Sequence, residues 1–173
     1  MEPLLSSRRE LLFAPLLAGL PLLLGAEAAK ADKINPDWTI VRLPNELKWQ
    51  PAIPGAPPQS VETVPLFGST NAPGLYYVLI KWYPGYMSAP HTYVTDRLCV
   101  VVSGTWWVNS GADFEPENTV PAPAGSFVHR IAGTPHYDGV KADGKEPAVI
   151  ALCGMGPVGL KWVDPTKPGW RKV

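Results

Sequence analysis

Between Gly85 and His136 two blocks of the chain share a layout. The first runs Gly85, five residues, His91, one residue, Tyr93, three residues, Arg97, six residues, Gly104; the second runs Gly125, five residues, Ile131, one residue, Gly133, two residues, His136. Each block reads as strand, turn, strand, and each brings a histidine toward one place. Side chains alternate across a strand, so if His91 points inward Tyr93 does too, and Arg97, Cys99 and Val101 share a face in the strand that follows. His91, Tyr93, Arg97 and His136 are therefore the expected polar set of one cavity. His129 and Arg130 are neighbours in a strand, so one faces in and the other out, and the sequence leaves open which.

The flanking chain supports an all-β fold. Gly68 to Gly74 is a turn cluster, and Leu75 to Trp82 is a β-branched and aromatic run of strand length. Leu98 to Val102 is apolar at consecutive positions, as in a strand covered on both faces, and Thr105 to Val108 follows across Ser103-Gly104. Ser126 to Ile131, His136 to Val140 and Ala148 to Cys153 read as three further strands, with Lys141 to Lys145 a hairpin turn, Ala112 to Ala124 a surface loop and the tail from Val163 coil. The 21 prolines and 16 glycines are spread along the chain without a repeat, which fits many short strands joined by tight turns. An antiparallel barrel or jelly roll follows, because closure removes exposed strand edges.

Both block spacings resemble the two motifs of the cupin superfamily: glycine, five, His-x-His, three or four, Glu, six, glycine; and glycine, five, Pro-x-Gly, two, His. His91, His136, Gly85, Gly104, Gly125 and Gly133 match, whereas Tyr93 stands at the second histidine, Arg97 at the glutamate and Ile131 at the proline. Val102-Ser103-Gly104-Thr105 and Gly154-Met155-Gly156-Pro157 look like those of small single-domain bacterial cupins, over roughly Leu47 to Asp164. The resemblance implies a single cupin-type β-barrel with a site inside it. In metal-binding cupins three imidazoles and one carboxylate surround a divalent ion. His91, Tyr93 and His136 are then the candidate ligands for a divalent first-row transition metal.

Two of those four family ligands are replaced here. A phenol must lose a proton of pKa about 10 to ligate well, and Arg97 puts a fixed positive charge where the family has a negative one. At about 5 Å and an effective dielectric near 20, a unit charge and a dication interact by roughly 7 kcal/mol, so reversing the sign shifts the balance by on the order of 10 kcal/mol. The same arginine offers a fork for a carboxylate. The expected function is an exported binding protein that holds a small polar or anionic ligand through His91, Tyr93, Arg97 and His136; the alternative is a metal-dependent oxygenase or isomerase. Cys99 and Cys153 are read as two buried free thiols, with a disulfide as the alternative.

The ends of the chain carry other information. Arg8-Arg9, the apolar run Leu11 to Ala26 and Ala26-Glu27-Ala28 read as a twin-arginine-like signal peptide over 1–28, which implies a periplasmic or secreted protein with no membrane segment after its removal. As a retained anchor the run is short: about 16 residues at 1.5 Å each fall below a ~30 Å hydrocarbon core. Proline-rich 29–60 is expected to be an extended arm, with Trp38 and Trp49 pinning it to its own barrel or to a second copy in a homodimer, and 61–173 the barrel domain with a C-terminal coil. With 15 basic and 15 acidic side chains and no basic cluster after the leader, a nucleic-acid partner is not expected.

Overall fold

The computed structural model describes residues 34–173; the expected signal peptide lies outside them. The described residues up to Val41 belong to a separate unit and contain a turn in which the Trp38 and Thr39 N–H groups donate to the Asn35 carbonyl. The unit from Arg42 to Val173 holds every strand found among the described residues, and the site.

Its strands are β1 (Gln50–Pro51), β2 (Val61–Phe67), β3 (Gly74–Trp82), β4 (Tyr86–Ser88), β5 (His91–Thr92), β6 (Arg97–Ser103), β7 (Thr105–Ser110), β8 (Val120–Pro123), β9 (Phe127–Arg130), β10 (His136–Val140), β11 (Ala148–Gly156), β12 (Lys161–Trp162) and β13 (Trp170–Lys172). They build two antiparallel sheets. One runs β1-β2-β3-β11-β6-β9; the other runs β12-β5-β10-β4-β13, with β7 on the free edge of β10 and β8 beyond it. The all-β antiparallel jelly roll expected from turn spacing and alternation is the fold observed.

Alternation decides what lies between the sheets. In β6, Arg97, Cys99 and Val101 are buried, while Leu98, Val100 and Val102 are each about half exposed on the outer surface. Tyr76, Val78 and Trp82 of β3, Ile150 and Leu152 of β11, Trp106 of β7 and Val140 of β10 join Cys99 and Val101 in one cluster. Each large apolar side chain buried this way contributes roughly 1.5–3 kcal/mol, which is what holds the two sheets face to face.

Five expectations need correcting. The run Leu98 to Val102 is not covered on both faces, since Leu98, Val100 and Val102 lie about half exposed on the outer surface of β6. The loop expected over Ala112 to Ala124 ends in β8, an edge strand that pairs only with β7. An edge tolerates Pro121 and Pro123, since their missing N–H groups need no partner on the open side. The tail from Val163 is not all coil, because β13 pairs with β4 and the Val173 N–H donates to the Gly85 carbonyl. Within the expected arm, β1 pairs with β2, and the Lys81 ammonium sits 3.8 Å over the Trp49 ring, so this part is a sheet edge. Lys141 to Lys145 is not a hairpin turn: β10 and β11 belong to different sheets, so the segment crosses between layers. Ser103-Gly104 makes a similar crossing from β6 to β7, and there Gly104 has φ +71 and lies so close to the Pro147 carbonyl that a Cβ would collide with it.

Candidate functional site

Register brings the site together. His91 of β5 and His136 of β10 are Cα partners, which holds their rings 4.4 Å apart between centroids. In the other sheet, Arg97 of β6 is the Cα partner of Arg130 of β9. Tyr93 connects the two pairs. Its ring stands edge-on to His91 at 4.9 Å, lies 5.6 Å from His136, and carries the Arg97 guanidinium over its face at 4.2 Å. The four residues expected from the sequence thus face one cavity of about 100 Å³, floored by apolar side chains including Val61, Ile80, Ile150 and Leu152.

The tie between His129 and Arg130 resolves with Arg130 inward. His129 is outside, where its Nε2 meets Asp96 at 2.9 Å. Two arginines directly opposite each other would repel, and the fold handles the two differently. Arg130 donates to Asp138 at 3.2 Å and to the Asn109 carbonyl at 2.9 Å. Asp138 also accepts from the Trp106 indole N–H at 3.1 Å. Arg97 donates through Nε to the Tyr76 hydroxyl at 3.1 Å and forms no ion pair among the described residues. Exposures are 6% for Arg97, 9% for Arg130, 7% for Asp138, 4% for His91 and 3% for His136, so these groups are screened little by solvent. Arg130, Asp138 and Trp106 were not in the expected set. Alternation from His136 points to Asp138, two residues on along the same strand face.

Burial governs ionisation here. The His91 and His136 Nδ1–H groups donate to the carbonyls of Ala89 (2.8 Å) and Thr134 (3.0 Å). Desolvation lowers the pKa of His91, and desolvation with the nearby His91 lowers that of His136 to about 3, so both imidazoles are neutral at pH 7. Desolvation raises the Tyr93 phenol. A pH dependence follows. Above the ordinary histidine value of about 6.5 neither the folded nor the unfolded chain protonates His136, and the group is silent. As pH falls from there toward 3, the unfolded chain takes up a proton the folded one refuses, and stability drops by up to about 1.4 kcal/mol per pH unit. A loss of about 3 kcal/mol by pH 4.5 is expected in chemical denaturation, reduced in His136→Gln. An acid limb identical in the two proteins would show that His136 titrates normally.

The metal reading meets a donor set that does not fit. Two imidazole Nε2 atoms are available, but the third candidate, Tyr93, is a phenol held protonated by burial beneath a guanidinium. Among the described residues no group of three or more His, Cys, Asp or Glu side chains is placed to hold an ion. Both thiols are free. Cys99 faces the core, where burial pushes its pKa to about 12, and Leu152 is its partner in β11. Cys153 is therefore on the opposite face of the sheet, which rules out a bridge between them and corrects the expectation that both are buried, since Cys153 is half-buried.

No protein-family model matches the sequence, and comparison with curated proteins finds no match. Solved structures do match. The polyketide cyclase RemF from Streptomyces resistomycificus is similar with a TM-score of 0.55 at 15% identity, over 78% of this chain and 86% of that one. The DMSP lyase DddQ from Ruegeria pomeroyi DSS-3 is similar with a TM-score of 0.55 at 12% identity, over 70% of this chain and 63% of that one. The shared architecture is the cupin fold, as the spacing of the two glycine-led blocks implies.

Proposed function

We propose that this cupin-fold barrel is a binding protein for a small organic anion, which Arg97 receives inside the cavity. The observation that carries the reading is the charge count around the cavity. Arg130 is offset by Asp138, both imidazoles are neutral, and Arg97 remains a buried cation with no carboxylate partner among the described residues. An uncompensated buried charge costs several kcal/mol, and an anion on its fork offsets that cost with charge-assisted, paired hydrogen bonds. Arg130 Nε, buried without a partner, adds a second unmet donor in the same wall.

Similarity to a cyclase and a lyase concerns the fold, and one barrel hosts many chemistries, so neither activity is carried over. The alternative of a metal-dependent oxygenase or isomerase is disfavoured by the donor set above. Titration calorimetry of the mature protein at pH 7 with acetate, propionate and lactate tests the binding reading. Saturable binding by at least one is expected; no heat of binding from any of them up to about 10 mM, a free energy of only about −2.7 kcal/mol, overturns it.

We read the chain as exported, on Arg8-Arg9, the apolar run and Ala26-Glu27-Ala28. Intact-mass measurement of natively produced protein should place the mature start at Ala29 or a few residues later, and Met1 retained would refute export.

A further inference from the structure

We infer that the anion is a small hydroxy monocarboxylate, its carboxylate on Arg97 and its hydroxyl donating to the His91–His136 pair. The inference rests on the anion-binding reading above and adds three features of the same cavity.

The first is the tautomer of both histidines. A carbonyl oxygen only accepts, so the contacts of Nδ1 with Ala89 and Thr134 put the ring hydrogen of each imidazole on Nδ1. Each Nε2 is left as a bare lone pair, and neither has a protein donor among the described residues. The two rings line the same cavity. Its polar wall therefore asks for a donor opposite the imidazoles and for an acceptor opposite Arg97, and a simple carboxylate supplies only the second.

The second is charge. One cation is unmatched, so a single negative charge balances the cavity. A dicarboxylate would exchange an unpaired cation for an unpaired anion. An ammonium could donate to the imidazoles, but it would enter a wall already holding Arg97 and Arg130, opposed across β6 and β9. A hydroxyl meets the same lone pairs without adding charge.

The third is size. A cavity of about 150 Å³ accepts benzene with its six heavy atoms, so one of about 100 Å³ takes a molecule no larger than that. A single tyrosine ring, Tyr93, separates the guanidinium from both imidazoles. A molecule of that length reaches both ends when its hydroxyl sits one or two carbons from the carboxylate, as in glycolate or lactate.

The experiment is a ligand panel on the unmodified mature protein at pH 7, read by calorimetry: glycolate and each enantiomer of lactate, against acetate and propionate, alanine, and malate. Glycolate or one lactate should bind at least tenfold more tightly than acetate or propionate, and at least tenfold more tightly than alanine or malate. Acetate or propionate binding as tightly as the hydroxy acids overturns the hydroxyl assignment and leaves the anion-binding reading standing. Alanine or malate equalling lactate overturns the charge argument. No saturable binding by any member overturns the anion-binding reading itself, and this inference with it.

Discussion

Arg97→Met should weaken carboxylate binding at least a hundredfold without unfolding the protein. The fork of Arg97 makes up to two charge-assisted bonds to a carboxylate, each worth about 1.5–3 kcal/mol where water is excluded, and about 2.7 kcal/mol is already a hundredfold. Stability is the less usual part of the expectation. Removing a buried arginine normally strands its partner carboxylate, but here there is none among the described residues, and what is stranded is the Tyr76 hydroxyl. That loss of about 1–3 kcal/mol is set against relief of an unpaired buried charge worth several. The ligand-free melting temperature should therefore stay level or rise. Arg97→Lys keeps the charge but not the fork, and should bind with intermediate affinity. Calorimetry and thermal unfolding check both. A variant that binds acetate or lactate as the parent does would remove Arg97 from the site.

Asp138→Asn should lower stability by about 3–5 kcal/mol, seen as a fall in melting temperature of about 10 °C. The substitution is nearly isosteric, and its amide oxygen can still accept from the Trp106 indole. What it cannot do is neutralise Arg130, which is 9% exposed and meets Asp138 at 3.2 Å. Adding Arg130→Met to Asp138→Asn should recover at least half of the loss, because the destabilisation comes from a cation left alone rather than from a missing contact. The folded fraction of Asp138→Asn should bind a small carboxylate more tightly than the parent, since the cavity loses the one carboxylate among its described lining residues. A fall in melting temperature below about 2 °C would mean that Arg130 is compensated by other groups.

The parts of this structure that alternation controls were legible. The face shared by Arg97, Cys99 and Val101 follows from period two, the all-β antiparallel architecture from turn spacing, and the meeting of His91 with His136 from the spacing of the two glycine-led blocks that resembles the cupin motifs; the exposure of Leu98, Val100 and Val102 did not follow from their apolar run. Three kinds of feature escaped. The short edge strands β8 and β13 are specified by what they pair with; the prolines of β8 and the three-residue length of β13 read locally as loop. Whether a turn joins paired strands or crosses between sheets is a non-local fact, and Lys141 to Lys145 has the same composition in either case. Asp138 was within reach, since it follows His136 by two residues. A carboxylate in a strand more often faces water, and the sequence leaves open whether its partner Arg130 faces in.

The position of the site on the barrel wall also bears on how such a protein can change its ligand. His91, Arg97, Arg130, His136 and Asp138 project from strands, and each is buried. Folds that carry their chemistry on loops can lengthen or exchange a loop while the scaffold is untouched. Here the residues that would select a ligand also set the charge balance and packing of the interior, so a new specificity has to be reached through substitutions that are tested for folding at the same time. Arg97 is the exception, since no carboxylate depends on it; variant libraries at the other four positions would be dominated by unfolded members, and there the accessible route to new ligands runs through paired exchanges such as Arg130 together with Asp138.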